Sequence, residues 1–345
     1  MIDGIPVQRW LFLRPSAESL RRGRLDLSAA FLYFYPATLL RLRRLLQTFK
    51  PDVVNLHFPD CQISYVLWAR KRFAFRLVVS LHGDEIEHWT PTKLHPRGGL
   101  TRLRRILREA DAVTACSRYL MFQAIKVESS IAQKAHVIQN GLDRERFYDQ
   151  SCYRHTRPYV LAYGRLVYKK GFDLLLQAFA QIAHRHPGLD LIIAGEGEEK
   201  EQLHTLSMQC GIGDRVYFYG RASQEEIVRL LNGCRLAAVP SRQEPFGIAA
   251  LEANAAGRPL LATRVGGLPE AAERGDAVNL VSPTVEGIAA GLNEALSSGI
   301  DAAIGNRRNG HGSLISWRAV ARQYLQVYNG FEASEYRLCG LHNQS

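Results

Sequence analysis

The chain has 345 residues, 46% hydrophobic and 22% charged, a globular composition too long for one ordinary core, so about two domains are expected. Its formal net charge is +11, yet residues 1–150 hold 24 Lys+Arg against 14 Asp+Glu while residues 151–345 hold 20 against 19. The excess is confined to the first half, which is therefore the half expected to meet an anionic partner.

Six cysteines stand apart with no Cys-x-x-Cys pair, which argues against a disulfide framework or a zinc site and fits a reduced, cytoplasmic compartment. The chain does not open on a secretory signal pattern. The longest apolar stretch, Ala29 to Leu40, falls short of the ~20 residues that cross a bilayer. The basic residues Arg21, Arg22, Arg24, Arg41, Arg43 and Arg44 bracket an aromatic run, Phe31 to Tyr35. Basic flanks with an aromatic centre suit peripheral contact with an anionic membrane, and an amphipathic helix with a solvated face accounts for the pattern equally well. No nucleic-acid module accompanies the charge, so nucleic acid is not an expected partner.

From Pro51 onward, short β-branched runs alternate with helical patterns. Val53–Leu56, Leu77–Leu81 and Ala112–Ala115 read as buried parallel strands, with helices over Tyr65–Lys71 and Thr101–Glu109. A second set follows at Tyr159–Tyr163, Leu189–Ala194, Val216–Tyr219, Leu236–Pro240 and Pro259–Ala262. Trp317–Tyr328 reads as an amphipathic helix. Alternation in both halves predicts two doubly wound α/β units, over 1–150 and 151–330, joined through the polar stretch Tyr148 to Arg157. Residues 331–345 read as an irregular tail.

Four loops of the second half carry chemistry. After the strand ending at Tyr163 comes Gly164-Arg165-Leu166-Val167-Tyr168-Lys169-Lys170-Gly171. Open α/β sheets bind ligands at the carboxyl edge, and two cations there, Arg165 and Lys170, suit a diphosphate, although a solvated basic loop has the same appearance. After Leu236–Pro240 comes Ser241-Arg242-Gln243-Glu244-Pro245-Phe246-Gly247-Ile248-Ala249-Ala250-Leu251-Glu252. A turn feeding a helix presents backbone N–H groups at Phe246, Gly247, Ile248 and Ala249, an anion site. Glu252, one turn in, suits ribose hydroxyls, and Glu244 lies before the helix. Acids near a helix start also favour the macrodipole, but that explains one of them. Gly266-Gly267-Leu268-Pro269-Glu270 and Gly195-Glu196-Gly197-Glu198 follow two further strands, and their glycines allow close backbone approach to a ligand. Each of these two is weak evidence alone, and the agreement of four strand ends carries the reading.

These residues resemble family 4 glycosyltransferases of the GT-B fold, from about Pro51 to about Tyr328. The family's paired glutamates, with seven residues between them, match Glu244 and Glu252. Its diphosphate-binding Arg and Lys match Arg165 and Lys170, its Gly-Gly-x-Pro-Glu segment matches Gly266 to Glu270, and its Gly-Glu-Gly loop matches Gly195 to Gly197. Asn140-Gly141-Leu142-Asp143 looks like the family's Pro-Asn-Gly-x-Asp stretch, with Gln139 in place of the proline. Leu81-His82-Gly83-Asp84 resembles the family's sugar-side histidine.

The resemblance implies two Rossmann-like domains with a donor site in the interdomain cleft and an acceptor-side N-terminal domain. It implies retaining, metal-independent transfer from a UDP- or GDP-sugar to a saccharide or lipid-linked acceptor, with no cofactor, in polysaccharide biosynthesis. His82 and Glu244 would face the sugar, Arg165 and Lys170 the diphosphate, and Glu252 the ribose. Phe246 to Ala249, Gly195, Glu196, Gly266 and Gly267 would complete the nucleotide site. His57 is read as structural, and Arg118 as a phosphate or acceptor contact. One departure stands out: the family's opening strand, glycine loop and helix are expected to be missing, since Met1 to Val7 looks like a later strand. A non-catalytic donor-binding remnant and a nucleotide-sugar epimerase are the competing readings.

Overall fold

The computed structural model describes residues 7, 9, 10, 12, 25–87, 97–147, 151–273, 275, 277–297 and 315–330. Arg21, Arg22, Arg24, the side chains of Phe31 and Leu32, the opening Met1 to Pro6, part of the linker and the tail 331–345 lie outside the described residues. The chain forms two compact units, one of residues 1–116, 120–138 and 323–345, the other of 117–119 and 139–322. The division expected at 150 and 330 thus falls differently: the first unit ends at Ile138, and the last turns of the C-terminal helix return to it.

In the first unit, the 25-residue helix α1 (Leu25–Phe49) precedes β1 (Val53–His57), α2 (Ile63–Arg70) and β2 (Arg76–Leu81). Then come α3 (Asp84–Glu87), α4 (Arg97–Glu109), β3 (Ala112–Ala115), α5 (Arg118–Val127) and β4 (Ala135–Val137). The strands pair in parallel in the order β1-β2-β3-β4. Leu77, Val78 and Val79 of β2 are fully buried, as parallel strands covered on both faces require. Two polar residues share that core, and both are satisfied. Thr114 Oγ1 donates to Ser80 Oγ at 2.8 Å, and Ser80 Oγ to Asn55 Oδ1 at 2.9 Å. The chain of bonds closes when Asn55 Nδ2 donates to Tyr328 OH at 2.7 Å.

The second unit runs β5 (Tyr159–Tyr163), α6 (Phe172–Ile182), β6 (Asp190–Ala194), α7 (Lys200–Gln209), β7 (Val216–Gly220), α8 (Gln224–Gly233) and β8 (Leu236–Val239). It continues through α9 (Ile248–Ala255), β9 (Leu260–Thr263), α10 (Leu268–Ala272), β10 (Val278–Val281) and α11 (Val285–Ser297). The helix α12 (Trp317–Tyr328) follows, shared between the units. Helix α8 starts where Ser223 accepts from Glu226 N and Glu226 in turn accepts from Ser223 N, a reciprocal cap that satisfies two orphan donors. Helix α6 buries Leu175, Leu176, Phe179 and Ile182, one face at the 3.6-residue period, against Val160 and Ala162 of β5 and Leu191 and Ile193 of β6.

All six strands are parallel, in the order β10-β9-β8-β5-β6-β7. The chain winds outward from β5 through β6 to β7, then returns to β8 and winds the other way. The reversal lies between β5 and β8, so their carboxyl ends flank the crevice where open α/β sheets bind ligands. The strands over 159–163 and 112–115 occur as expected from sequence; β4 and β10, short edge strands carrying His136 and Asn279, were not expected.

The loops at this edge lie backbone to backbone. Gly195 adopts φ +146°, and a Cβ there would sit 1.9 Å from the Gly164 carbonyl oxygen. Gly211 also has a left-handed φ, +69°, but no atom within 4 Å of its added Cβ. Gly211→Ala is therefore expected to cost about 1 kcal/mol from the left-handed backbone alone. Gly195→Ala adds a backbone clash and is expected to cost on the order of 3 kcal/mol. Urea unfolding of both variants checks this, and equal losses would contradict the loop packing.

Candidate functional site

Because β9, β8, β5 and β6 are neighbours, the four loops singled out from the sequence emerge side by side at one sheet edge. The loop after β5 meets that after β6: Leu166 N donates to Glu196 O at 2.9 Å and Glu199 N to Leu166 O at 3.0 Å. The loop after β9 meets that after β8: Gly267 N donates to Glu244 O at 2.8 Å. Gly266, at φ +56°, lies so close that a Cβ would stand 2.0 Å from Glu244 O. The structure thus gives Gly195 and Gly266 a use that differs from the one expected: they let loops of this chain pack on each other, which sets the shape of the edge.

Two acid pairs occupy the reversal point. Glu244 is 8% exposed, and its Oε2 accepts from Lys170 Nζ at 2.5 Å and from Ser241 Oγ at 3.3 Å. One expected diphosphate ligand therefore already holds one expected sugar ligand. Glu252 is 9% exposed, and its Oε2 accepts from Tyr163 OH at 2.7 Å. Burial raises the Glu252 carboxyl above the usual carboxylate range, and the Tyr163 hydrogen bond opposes that rise. Burial of the Tyr163 phenol beside this carboxylate pushes it well above its ordinary value.

The remaining expected residues divide. Arg165 is exposed at the start of its loop. Helix α9 begins after Gly247, which has no side chain to cap its first-turn N–H groups. Ile248 is half exposed there, whereas the Phe246 ring is buried in the core, so only the Phe246 backbone can face a ligand. Glu196 is exposed and receives Lys200 Nζ at 3.1 Å. Arg118, expected to meet phosphate or acceptor, instead turns its guanidinium to Glu270 and Glu273, at 3.5 and 3.8 Å. Glu270 also accepts the backbone N–H groups of Arg118 and Tyr119.

A clasp not evident from sequence holds Lys170 in place. Arg242 forms a bidentate pair with Asp173, both bonds 2.6 Å, and lies 4.1 Å from the centre of the Tyr168 ring. Arg242 N and Gln243 N both donate to Lys169 O. The loop carrying Lys170 is thereby tied to the loop carrying Glu244.

In the first unit, His82 follows β2 as expected, and His57 turns out to be its partner. His57 Nδ1 and His82 Nε2 lie 2.9 Å apart, within hydrogen-bond distance. Phe58 stacks on His82 at 4.2 Å between ring centres, with a left-handed φ of +49° that a bulky residue seldom adopts. His57, read as structural from its strand end, is exposed and pairs with the sugar-side candidate. Partial desolvation of its ring lowers His57 even though the residue is exposed, while desolvation and then the charge of His57 lower His82 to about 4. Both imidazoles are neutral near pH 7. Glu85 closes the loop by accepting from the backbone N–H groups of His82 and Gly83.

The family profile described as "Glycosyl transferases group 1" matches residues 143–309, and that described as "Glycosyltransferase Family 4" matches 13–146. A glycogen synthase of Mycobacterium tuberculosis is 31% identical over 84% of this chain and 72% of its own length. A GDP-mannose-dependent alpha-(1-6)-phosphatidylinositol monomannoside mannosyltransferase of Mycolicibacterium smegmatis is 31% identical over 72% of this chain and 68% of its own. Among solved structures, a sucrose-phosphate synthase from Thermosynechococcus elongatus superposes with a TM-score of 0.75 at 23% identity, covering 87% of this chain and 78% of that one. Anabaena HepE in complex with UDP and glucose superposes at 0.65 with 22% identity, covering 81% and 78%. These two likenesses show the GT-B fold, and the sequence relatives show the activity class. With its four loops gathered at the reversal of a parallel sheet, the chain is a glycosyltransferase and belongs to family 4.

Proposed function

We propose that the chain is a retaining transferase that moves a sugar from a UDP- or GDP-sugar to a hydroxyl of a saccharide or lipid-linked acceptor. The observation that carries this reading is the Lys170–Glu244 pair at the reversal point. A cation and a buried acid held together there can separate onto a diphosphate and a sugar, the cation meeting the phosphate charge and the acid accepting from sugar hydroxyls. The reading is further supported by the GDP-mannose-dependent relative and by the neighbour solved with UDP and glucose.

In this reading Arg165, Lys170 and the first-turn N–H groups of α9 take the charge that develops on the leaving diphosphate. Glu252 accepts from the ribose, and Glu244, released by Lys170, accepts from the sugar. His82 is neutral at working pH and is assigned to a sugar hydroxyl. The bond from the anomeric carbon to the diphosphate oxygen breaks, the acceptor oxygen bonds to the same face, and the acceptor proton passes to the leaving phosphate. These cations and dipoles do the work that a divalent metal does elsewhere, so transfer is expected to persist in a chelator.

The acceptor side is read from the first unit. Tyr33, Phe34, Leu40, Arg41, Arg44 and Phe49 are exposed on α1, and the spacing of 33, 40 and 44 puts them along one face. An apolar and basic face of this kind suits an anionic membrane surface. None of the five described cysteines is joined in a disulfide, which supports a reduced compartment.

Calorimetric titration with UDP, GDP and ADP tests the donor site. One nucleotide is expected to bind, and Arg165→Ala and Glu252→Ala each to weaken it about tenfold to a hundredfold, as loss of a hydrogen bond to a charged group does. Absence of binding at millimolar nucleotide would sink the donor reading. Product analysis with that nucleotide's sugars separates a new α-glycoside from an epimerised donor.

The His82 protonation state has a definite sign. Its folded value of about 4 lies below the ordinary 6.5, so the unfolded chain takes up a proton first as pH falls. Stability is expected to drop between pH 6.5 and 4, and His82→Gln to make that drop shallower in thermal unfolding. An unchanged slope would contradict the buried, neutral imidazole.

For the membrane reading, co-sedimentation with phosphatidylserine vesicles is expected for the wild type and reduced for Arg41→Glu/Arg44→Glu. Equal sedimentation of the two proteins would remove α1 as the contact.

A further inference from the structure

Glu252 is the acid assigned to ribose, and what holds it is a residue that no motif marks. Tyr163 is the last residue of β5. Val160 and Ala162 enter the core on one face of the sheet. The alternation of a strand therefore sends Leu161 and Tyr163 to the other face. There the Tyr163 hydroxyl meets the first turns of α9, 2.7 Å from Glu252 Oε2 and 3.2 Å from the Ala249 carbonyl oxygen. One phenolic proton faces two acceptors. When Glu252 is ionised, the charged oxygen at the shorter distance takes it. If Glu252 is protonated, its acid proton is donated to Tyr163, and the phenol can then donate only to Ala249.

We infer that Tyr163 is the positioning residue of the ribose site: its hydroxyl fixes the Glu252 carboxylate as an ionised, oriented acceptor for the nucleotide's ribose hydroxyls. This rests on the assignment of Glu252 to ribose. A carboxylate oxygen has two lone pairs, so Oε2 can accept from Tyr163 and a ribose hydroxyl together, and Oε1 has no hydrogen-bond partner among the described residues. The pair is closed to other titration. Tyr163 is the titratable group that acts on Glu252, opposing the rise caused by burial. The phenol is faced in addition by the Cys234 thiol, which burial pushes up to about 12 and keeps neutral.

The test is calorimetry of the full chain with UDP and GDP and with their 2′-deoxy counterparts, from pH 5 to 8, for wild type, Tyr163→Phe and Glu252→Ala. Wild type is expected to prefer the ribonucleotide and to lose that preference as pH falls through the Glu252 titration. Tyr163→Phe is expected to weaken ribonucleotide binding about tenfold at pH 7, to change 2′-deoxynucleotide binding less than twofold, and to move the pH midpoint upward. Equal weakening of both nucleotides, or an unshifted midpoint, overturns the role of Tyr163 while the donor site stands. If Glu252→Ala leaves ribonucleotide affinity unchanged, the ribose assignment and this inference fall together. Should the Phe variant fail to fold, Glu252→Gln decides: the amide lacks the charge that the Tyr163 proton selects and is expected to weaken ribonucleotide binding about tenfold at pH 7, and an unchanged affinity overturns the inference.

Discussion

The second unit depends on one constraint: six parallel strands whose winding reverses between β5 and β8. Parallel strands put every carboxyl end on one edge, and the reversal opens a gap there that the crossover helices cannot fill. The residues of this unit assigned to chemistry stand around that gap. The loops are held in it by backbone hydrogen bonds and by glycines at places where a single methyl would strike a carbonyl oxygen.

The two buried glutamates at the gap each have a partner. Lys170 pairs with Glu244, Tyr163 donates to one oxygen of Glu252, and the Arg242–Asp173 pair, stacked on Tyr168, ties the two loops. An unpaired buried carboxylate costs far more than a paired one, so these partners are a condition of keeping acids at the site. In the proposed function, a diphosphate and a sugar each take over one member of the Lys170–Glu244 pair. In the first unit the solution differs. His57 and His82 share a hydrogen bond, and burial holds both below their ordinary values, which leaves a neutral pair beneath the Phe58 ring.

Much was legible in the sequence. Short β-branched runs located most strands, because a parallel strand covered on both faces must be apolar along its length. The acids and cations after β5 and β8 stood out because four strand ends agreed, whereas a charged loop taken alone is common at a surface. The edge strands β4 and β10 escaped notice: three or four residues, with His136 or Asn279 among them, carry too weak a pattern.

The sequence by itself determined the fold class and the family resemblance, and it singled out Arg165, Lys170, Glu244 and Glu252 as candidates, all of which rest on residue type and local spacing. Tertiary structure alone decided the partners. Tyr163 and Glu252 are 89 residues apart, Lys170 and Glu244 are 74 apart, and His57 and His82 are 25 apart. No local pattern encodes such pairings, because they arise only when strand order makes distant loops neighbours. The sheet likewise turned Arg118 toward Glu270 and gave the glycines of Gly195 and Gly266 to loop packing. Periodicity records which face of an element is buried; it carries no record of which element lies opposite.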